Sequence, residues 1–229
     1  MSSNIIISGA TGNLGREVVK KLSDCGNNIY VTLGSKNINV FDKFPDVKGQ
    51  VVDLLDYDAS VNFVNQTLIQ AKSVQAGIFL AGGYASGSIN ETDDAALEKM
   101  FNLNFLTAFH LVKPLMEHFE KNGGGQFIFI GAKPALIASQ GKDNFAYALS
   151  KSLLFKMAEF INAEGKSKNI TATVIVPSTI DTMSNREAMP DADFNTWISA
   201  DDIAKTIAFV LSNSGQKLRE TVLKVYNES

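Results

Sequence analysis

Near the start of the chain a short β-branched run, Ile5–Ser8, leads straight into GATGNLG, and this junction constrains the fold more than any other stretch. Three glycines, Gly9, Gly12 and Gly15, occupy the turn, and helical spacing then runs from about Leu14 to Cys25. A strand that enters a helix through glycines exposes backbone N–H groups with no side chains in front of them, and the helix N-terminus adds about half a positive charge there. Gly9, Thr11, Gly12, Asn13, Leu14 and Gly15 can therefore line a site for a pyrophosphate. Glycines in such a turn can equally serve close packing alone.

Runs of the same kind recur at Ile29–Leu33, Gln50–Val52, Gly77–Ala81, Gln126–Ile130 and Thr171–Val176. Longer stretches separate them, with helical spacing clearest from about Asp93 to Lys121 and from about Asn144 to Glu164. Each run is nearly all apolar, the pattern of strands covered on both faces. Strands joined by helices through right-handed crossovers predict an α/β fold, a Rossmann-type doubly wound parallel sheet flanked by helices on both faces. No low-complexity linker and no internal repeat interrupts the series, so residues 1–229 are expected to form a single dinucleotide-binding domain. A polar, irregular stretch at about 183–198 carries the only tryptophan, Trp197, and lies between a strand and a helix, where a substrate lid would sit.

Composition narrows the function. The 45% hydrophobic content suits a packed core, and 21 Lys and Arg against 24 Asp and Glu leave a net charge of -3, too little field to capture nucleic acid. No run approaches the roughly 20 apolar residues of a membrane-spanning helix. The opening MSSNIIISGA has neither the basic flank nor the cleavage pattern of a signal peptide, and the single Cys25 excludes an internal disulfide, so a cytoplasmic location is expected. His110 and His118 stand eight residues apart without partners at ligand spacing and read as structural, with no metal site. Phe101, Phe105 and Phe109 at helical spacing read as core or subunit interface.

The end of the second strand discriminates between the two nicotinamide cofactors, because a carboxylate there binds a ribose 2′-hydroxyl and repels a 2′-phosphate. This chain has VTLGSKN and no acid; Ser35 and Lys36 can hold the phosphate by hydrogen bond and charge, or Lys36 can be a solvated turn residue. NADP(H) is favoured, and NAD(H) stays open. After the third strand, Asp53 and Leu54 stand where a carboxylate can accept from an adenine amino group, or simply end the strand.

The chemistry points to YALSK, which puts Tyr147 and Lys151 on one face of a helix. A phenol titrates near 10 and is inert at neutral pH; a neighbouring ammonium is expected to favour the phenolate, lower that value and make proton transfer efficient.

With these residues in place the chain resembles the short-chain dehydrogenase/reductase family. GATGNLG, LAGG at 80–83, Asn104 in FNLNF, YALSK, and VPSTIDT at 176–182 occur in that family's order and approximate spacing over nearly the whole chain. The resemblance implies that Tyr147 donates or accepts the proton, that Lys151 holds the nicotinamide ribose and tunes the phenol, and that Asn104 anchors a water in a proton relay. It implies further cofactor contacts from Ala81, Gly82, Gly83, Pro177 and Thr179, with the backbone near Ile180 and Thr182 holding the carboxamide. It also implies a homodimer or homotetramer acting on a small-molecule substrate, paired through apolar helices near Phe101 and Leu153.

Two departures stand out. FIGAKPAL puts Ala132 where the family's serine hydroxyl belongs, and Ser178 replaces the glycine of the usual Pro-Gly pair. The missing serine coincides with a closer resemblance to the dihydropteridine reductase-like branch, in AGGY at 81–84, GAKPAL at 131–136 and TIDTMSNREAMPDADFNTW at 179–197. That branch implies hydride transfer to a pterin-like or quinonoid ring, with carbonyl compounds as the wider class. Tyr84 and Trp197 can stack on such a substrate or pack the lid onto the body. The competing readings are a non-catalytic NADP(H)-sensing regulator and an ordinary alcohol dehydrogenase or ketone reductase in which Ser139 stands in for the serine.

Overall fold

A computed structural model of the protein describes residues 2–34 and 39–228. The first half alternates β1 (Asn4–Ser8), α1 (Asn13–Asp24), β2 (Asn28–Leu33), β3 (Val47–Val51), α2 (Tyr57–Ala71) and β4 (Ala76–Phe79). Then come α3 (Asp94–Phe101), a π-helical turn (Asn102–Leu106), α4 (Thr107–Lys121), β5 (Gly125–Ile130), two single-turn helices, α5 (Lys133–Leu136) and α6 (Ala138–Gly141), and α7 (Phe145–Gly165). The chain finishes with β6 (Ile170–Pro177), β7 (Ile180–Asp181), α8 (Met183–Ala188), β8 (Ile198–Ser199), α9 (Ala200–Leu211) and β9 (Val222–Val225).

Seven of the strands form one parallel sheet in the order β3-β2-β1-β4-β5-β6-β9, the doubly wound arrangement expected from the sequence. Because side chains alternate across a strand, each central strand feeds two cores. In β5, Phe127 and Phe129 join Phe79, Leu111, Leu115 and Phe119 on one face, while Ile128 and Ile130 join Val18, Leu22, Ile203 and Ile207 on the other. The two aromatic residues stack with Phe79 at 6.1 and 5.2 Å, a cluster of rings within the first of these cores.

Two sequence expectations are corrected. The third strand is Val47–Val51 rather than Gln50–Val52, and it is not apolar, because as the edge of the sheet it is exposed from Lys48 onward. The long helix expected over 93–121 is interrupted by the π-helical turn at Asn102–Leu106, where one extra residue per turn swings Asn104 inward. The last strand, β9, went unread because its pattern is half exposed and only four residues long.

The junction of α7 with β6 shows how the sheet edge is completed. β9 pairs with β6 only from Val174 onward, which leaves the inner N–H and C=O of Ala172 without a strand partner. The buried Asn162 amide supplies both, accepting from the Ala172 N–H and donating to its carbonyl at 2.8 Å each. We expect Asn162→Leu to lower the unfolding free energy by about 2–4 kcal/mol, since two buried backbone groups lose their partners. Urea denaturation checks this, and a loss within experimental error would show that the amide is dispensable.

Candidate active site

The glycine turn joins the end of β1 to the start of α1, beside the end of β4. Gly9 adopts a φ of +69°, and a methyl group there would lie 2.4 Å from the Ala81 nitrogen and 2.5 Å from the Leu80 carbonyl carbon. A methyl on Gly15 would lie 2.2 Å from the Gly9 oxygen. Packing alone therefore demands glycine at both positions. Gly12 is different: it is exposed, and a methyl would meet only the Gly9 oxygen at 3.5 Å. It also stands at the N-cap of α1, where no side chain caps the helix and no acid occupies the first turn, leaving an uncovered electropositive helix mouth. Thr11 is half-buried, with its carbonyl accepting from Arg16 Nε at 3.0 Å, Asn13 is exposed, and Leu14 packs against the aliphatic core. This surface fits the phosphates of a dinucleotide.

Ser35 and Lys36 lie outside the described residues. Asp53 is exposed, and one of its carboxylate oxygens accepts from the Leu55 N–H at 3.0 Å, holding its own turn. Leu54 is half-buried, its carbonyl bonded to His110 Nδ1 at 2.9 Å. His118 is buried and accepts from the Val74 N–H, so both histidines hold neighbouring backbone. Among the described residues no group of three or more His, Cys, Asp or Glu could hold a metal ion.

Tyr147 and Lys151 stand one turn apart in α7, and a buried polar chain ties them to the loop after β4. Asn104 Oδ1 accepts from the Gly83 N–H at 2.9 Å, and Nδ2 donates to the Gly83 carbonyl at 3.1 Å and to Ser150 Oγ at 2.9 Å. Ser150 Oγ in turn donates to the Tyr147 carbonyl at 2.8 Å. Both donors of Asn104 are thus committed to protein, and its oxygen retains one acceptor position. Gly82 is wedged into the same place: a methyl on it would meet Asn104 Oδ1 at 2.5 Å and Lys151 Nζ at 3.4 Å. Tyr84, 65% exposed, sets its ring edge-on to that of Tyr147 with centroids 5.1 Å apart.

The electrostatics reverse one expectation. Lys151 is buried and donates from Nζ to the Ile130 carbonyl at 2.9 Å, and loss of solvation brings its ammonium down to about 8. Burial pushes the half-buried Tyr147 hydroxyl up to about 12, with the Tyr84 phenol adding to the rise. Over the range where Tyr147 would ionise, Lys151 has already lost its proton and offers no charge to favour the phenolate. In the protein alone the phenol is therefore raised, not lowered.

Comparison with known proteins settles the family. The sequence model for short chain dehydrogenase matches residues 3–193. The chain belongs to the short chain dehydrogenase family. It is 28% identical over 227 residues to a dihydropteridine reductase of Dictyostelium discoideum, covering 95% of this chain and 91% of that protein. It is 26% identical over 187 residues to the 3-oxoacyl-[acyl-carrier-protein] reductase MabA of Mycobacterium bovis, covering 81% of this chain and 72% of that protein. Its fold superposes on the structure of ElxO with NADP bound at a TM-score of 0.89, with 18% identity and 98% and 97% of the two chains covered. As a short chain dehydrogenase it is an NAD(P)-dependent oxidoreductase. Among the described residues no helix is long and apolar enough to cross a membrane.

Within this short chain dehydrogenase, the region that would carry the family's serine presents only a methyl group. Ala132 is buried at the end of β5, and Ser139 is exposed on α6. Pro177 closes β6, and Ser178 Oγ bonds the Tyr226 carbonyl at 2.6 Å. Thr179 accepts from the Ile198 N–H, and Thr182 caps α8 through the Asn185 N–H. The Ile180 carbonyl accepts from Asn185 Nδ2 at 2.8 Å. Trp197 is 7% exposed and packs its ring on Phe194 at 4.8 Å, while Asn227 Nδ2 donates to the Asn195 and Trp197 carbonyls at 3.1 Å each. Of the two aromatic candidates, Trp197 is buried against Phe194 of its own segment and Tyr84 is mostly exposed. Sequence reasoning missed Ser150, whose only signal was a hydroxyl three residues after Tyr147, and Asn227, which has no local signal at all.

Two measurements test this geometry. We expect Gly12→Ala to leave unfolding stability within about 0.5 kcal/mol and to weaken NADPH at least tenfold, about 1.4 kcal/mol, whereas Gly15→Ala destabilises by about 2–3 kcal/mol or prevents folding. Unchanged NADPH binding by a folded Gly12→Ala protein would remove the helix mouth from the site. A lysine with its folded value depressed from 10.5 to about 8 binds fewer protons folded than unfolded between those limits. Stability therefore rises with pH across that window, and a penalty on the order of 3 kcal/mol is fully present below it. Lys151→Met removes this penalty but orphans the Ile130 carbonyl, so we expect a net gain of about 1–2 kcal/mol at pH 7. Near pH 10.5 the penalty has gone and the orphaned carbonyl remains, so the variant should there be less stable than wild type by about 1–2 kcal/mol, and denaturation curves at the two pH values would expose the absence of this reversal.

Proposed function

We propose that this protein is a reductase of flat, conjugated small molecules, pterin-like or quinonoid, with NADP(H) favoured over NAD(H) and carbonyl compounds as the wider substrate class. The observation that carries this reading is the pairing of the Tyr147 phenol with the exposed Tyr84 ring, 5.1 Å away in the loop after β4. The near full-length similarity to a dihydropteridine reductase supports a pterin-like ring.

The residues divide the work as follows. The uncapped mouth of α1, with Gly9, Thr11, Gly12, Asn13, Leu14 and Gly15, binds the phosphates; Asp53 and Leu54 border the adenine, and Ala81, Gly82 and Gly83 the adjoining ribose. Ser35 and Lys36 would select the 2′-phosphate. When bound, the reduced nicotinamide supplies the hydride. Lys151 holds the neighbouring ribose, and Pro177, Thr179, Ile180 and Thr182 flank the carboxamide. Tyr147 gives its proton to the substrate heteroatom, and Asn104 Oδ1 offers its remaining acceptor position to a water. Ala132 lines the substrate pocket, and residues 183–198, anchored by Trp197, cover it as part of the single domain of residues 1–229. The lone, unpaired Cys25 suits a reducing compartment such as the cytoplasm.

The face of α4 and α7 supports a homodimer or homotetramer. Phe105, Phe109, Met116, Leu153 and Phe160 line a groove there, with Phe160 67% exposed. Lys113 and Lys156 rim it together with Glu117 and Glu164, so a second copy related by a two-fold axis can set each cation against an anion.

The test is NADPH oxidation with quinonoid dihydropterin and a panel of quinones, diketones and 3-oxoacyl thioesters. We expect turnover with the ring substrates, a loss of at least a hundredfold in Tyr147→Phe, and weaker NADPH but unchanged NADH binding in Lys36→Asp. Saturable NADPH binding without turnover of any substrate would make the protein a sensor, and preference for 3-oxoacyl thioesters would make it a ketone reductase.

A further inference from the structure

Reduction of a C=O or C=N bond drives electron density onto the heteroatom, and two donors aimed at that atom stabilise the developing charge better than one. Tyr147 is one such donor. Two other hydroxyls of the proposed site donate elsewhere, Ser150 to the Tyr147 carbonyl and Ser178 to the Tyr226 carbonyl. Ser139 is exposed on α6, and Ala132 contributes no polar atom to its wall. The Tyr84 hydroxyl has no hydrogen-bond partner among the described residues, and its ring stands against that of Tyr147 at 5.1 Å and 64°.

Tyr84 is also held in place. It follows directly on Gly83, whose N–H and carbonyl are both clamped by Asn104, and Asn104 is tied through Ser150 to the turn of α7 that carries Tyr147. The two phenols thus sit on backbone segments locked to each other by buried hydrogen bonds.

We propose that Tyr84 is the second hydroxyl of the site, donating a hydrogen bond to the same substrate heteroatom that Tyr147 protonates and doing the work that a serine at position 132 would do. This rests on the reading of Tyr147 as proton donor. Hydride adds to the substrate carbon, the π pair moves to the heteroatom, the Tyr147 O–H bond breaks and a heteroatom–H bond forms; Tyr84 keeps its proton throughout. The two phenols are close enough that ionising one disfavours ionising the other, as the upward push of Tyr84 on Tyr147 records.

Tyr84 is mostly exposed, so its replacement leaves the core intact. The experiment compares wild type, Tyr84→Phe, Tyr147→Phe and Tyr84→Phe combined with Ala132→Ser, using NADPH with quinonoid dihydropterin and with phenanthrenequinone. We expect Tyr84→Phe, which keeps the ring, to lower kcat 10- to 100-fold on the better substrate while the KM for NADPH stays within twofold. The added Ala132→Ser should restore a substantial part of kcat. Tyr84→Phe with kcat within twofold of wild type would overturn the proposal while leaving the Tyr147 reading intact, provided that Tyr147→Phe is inactive. Full activity in Tyr147→Phe, or an inert wild type, would sink both.

Discussion

At Gly9 the backbone of β1 runs against the backbone of β4 with no room for a methyl group, and α1 then crosses over the same glycine at Gly15. These contacts bring three chain segments together at the point where strand order reverses, between β1 and β4. A doubly wound sheet opens a crevice there because the crossovers on its two sides leave in opposite directions. Everything that makes this crevice useful depends on how closely those backbones approach. A bulkier turn would displace α1 and with it the uncapped helix mouth beside the crevice.

On the other side of the crevice the constraint is polar rather than steric. Asn104 reaches inward because the π-helical turn rotates it off the face that its neighbours follow, and it spends its hydrogen bonds on Gly83 and Ser150. Inside a protein such bonds are strong when complete and costly when broken, so the loop bearing Gly82, Gly83 and Tyr84 is held rigidly to the helix bearing Tyr147 and Lys151. Lys151 itself is a stability liability, a buried cation with one carbonyl partner. Its retention is the kind of local cost that a working site imposes on a fold. The 183–198 segment is held by Asn227, just past β9, which bonds the carbonyls of Asn195 and Trp197.

Much of this was legible in the amino-acid sequence, for reasons tied to particular residues. Ile5–Ser8 and Gln126–Ile130 are strands buried on both faces, and continuous apolar character is the direct mark of that environment. β3 escaped correct placement because an edge strand follows no burial pattern, and the π-helical turn escaped because an extra residue in a helix leaves the apolar spacing nearly intact. Motif spacing puts Tyr147 and Lys151 on one helical face but does not carry the direction in which burial shifts them. Spacing reports that a cation is near a phenol; it does not report that burial removes the cation's proton first.

What the sequence by itself determined is therefore the alternation of strands and helices, the glycine turn, the Tyr147–Lys151 pair and the absence of a hydroxyl at Ala132, since each is a matter of local periodicity or residue chemistry. The tertiary structure alone decided which glycine is left open for a ligand, why Asn104 faces Gly83 and Ser150, and how Trp197 and Tyr84 part company. It also decided which way the phenol and the ammonium shift. These are properties of groups brought together from distant parts of the chain, and desolvation, the effect that governs them, exists only once the surrounding atoms are in place.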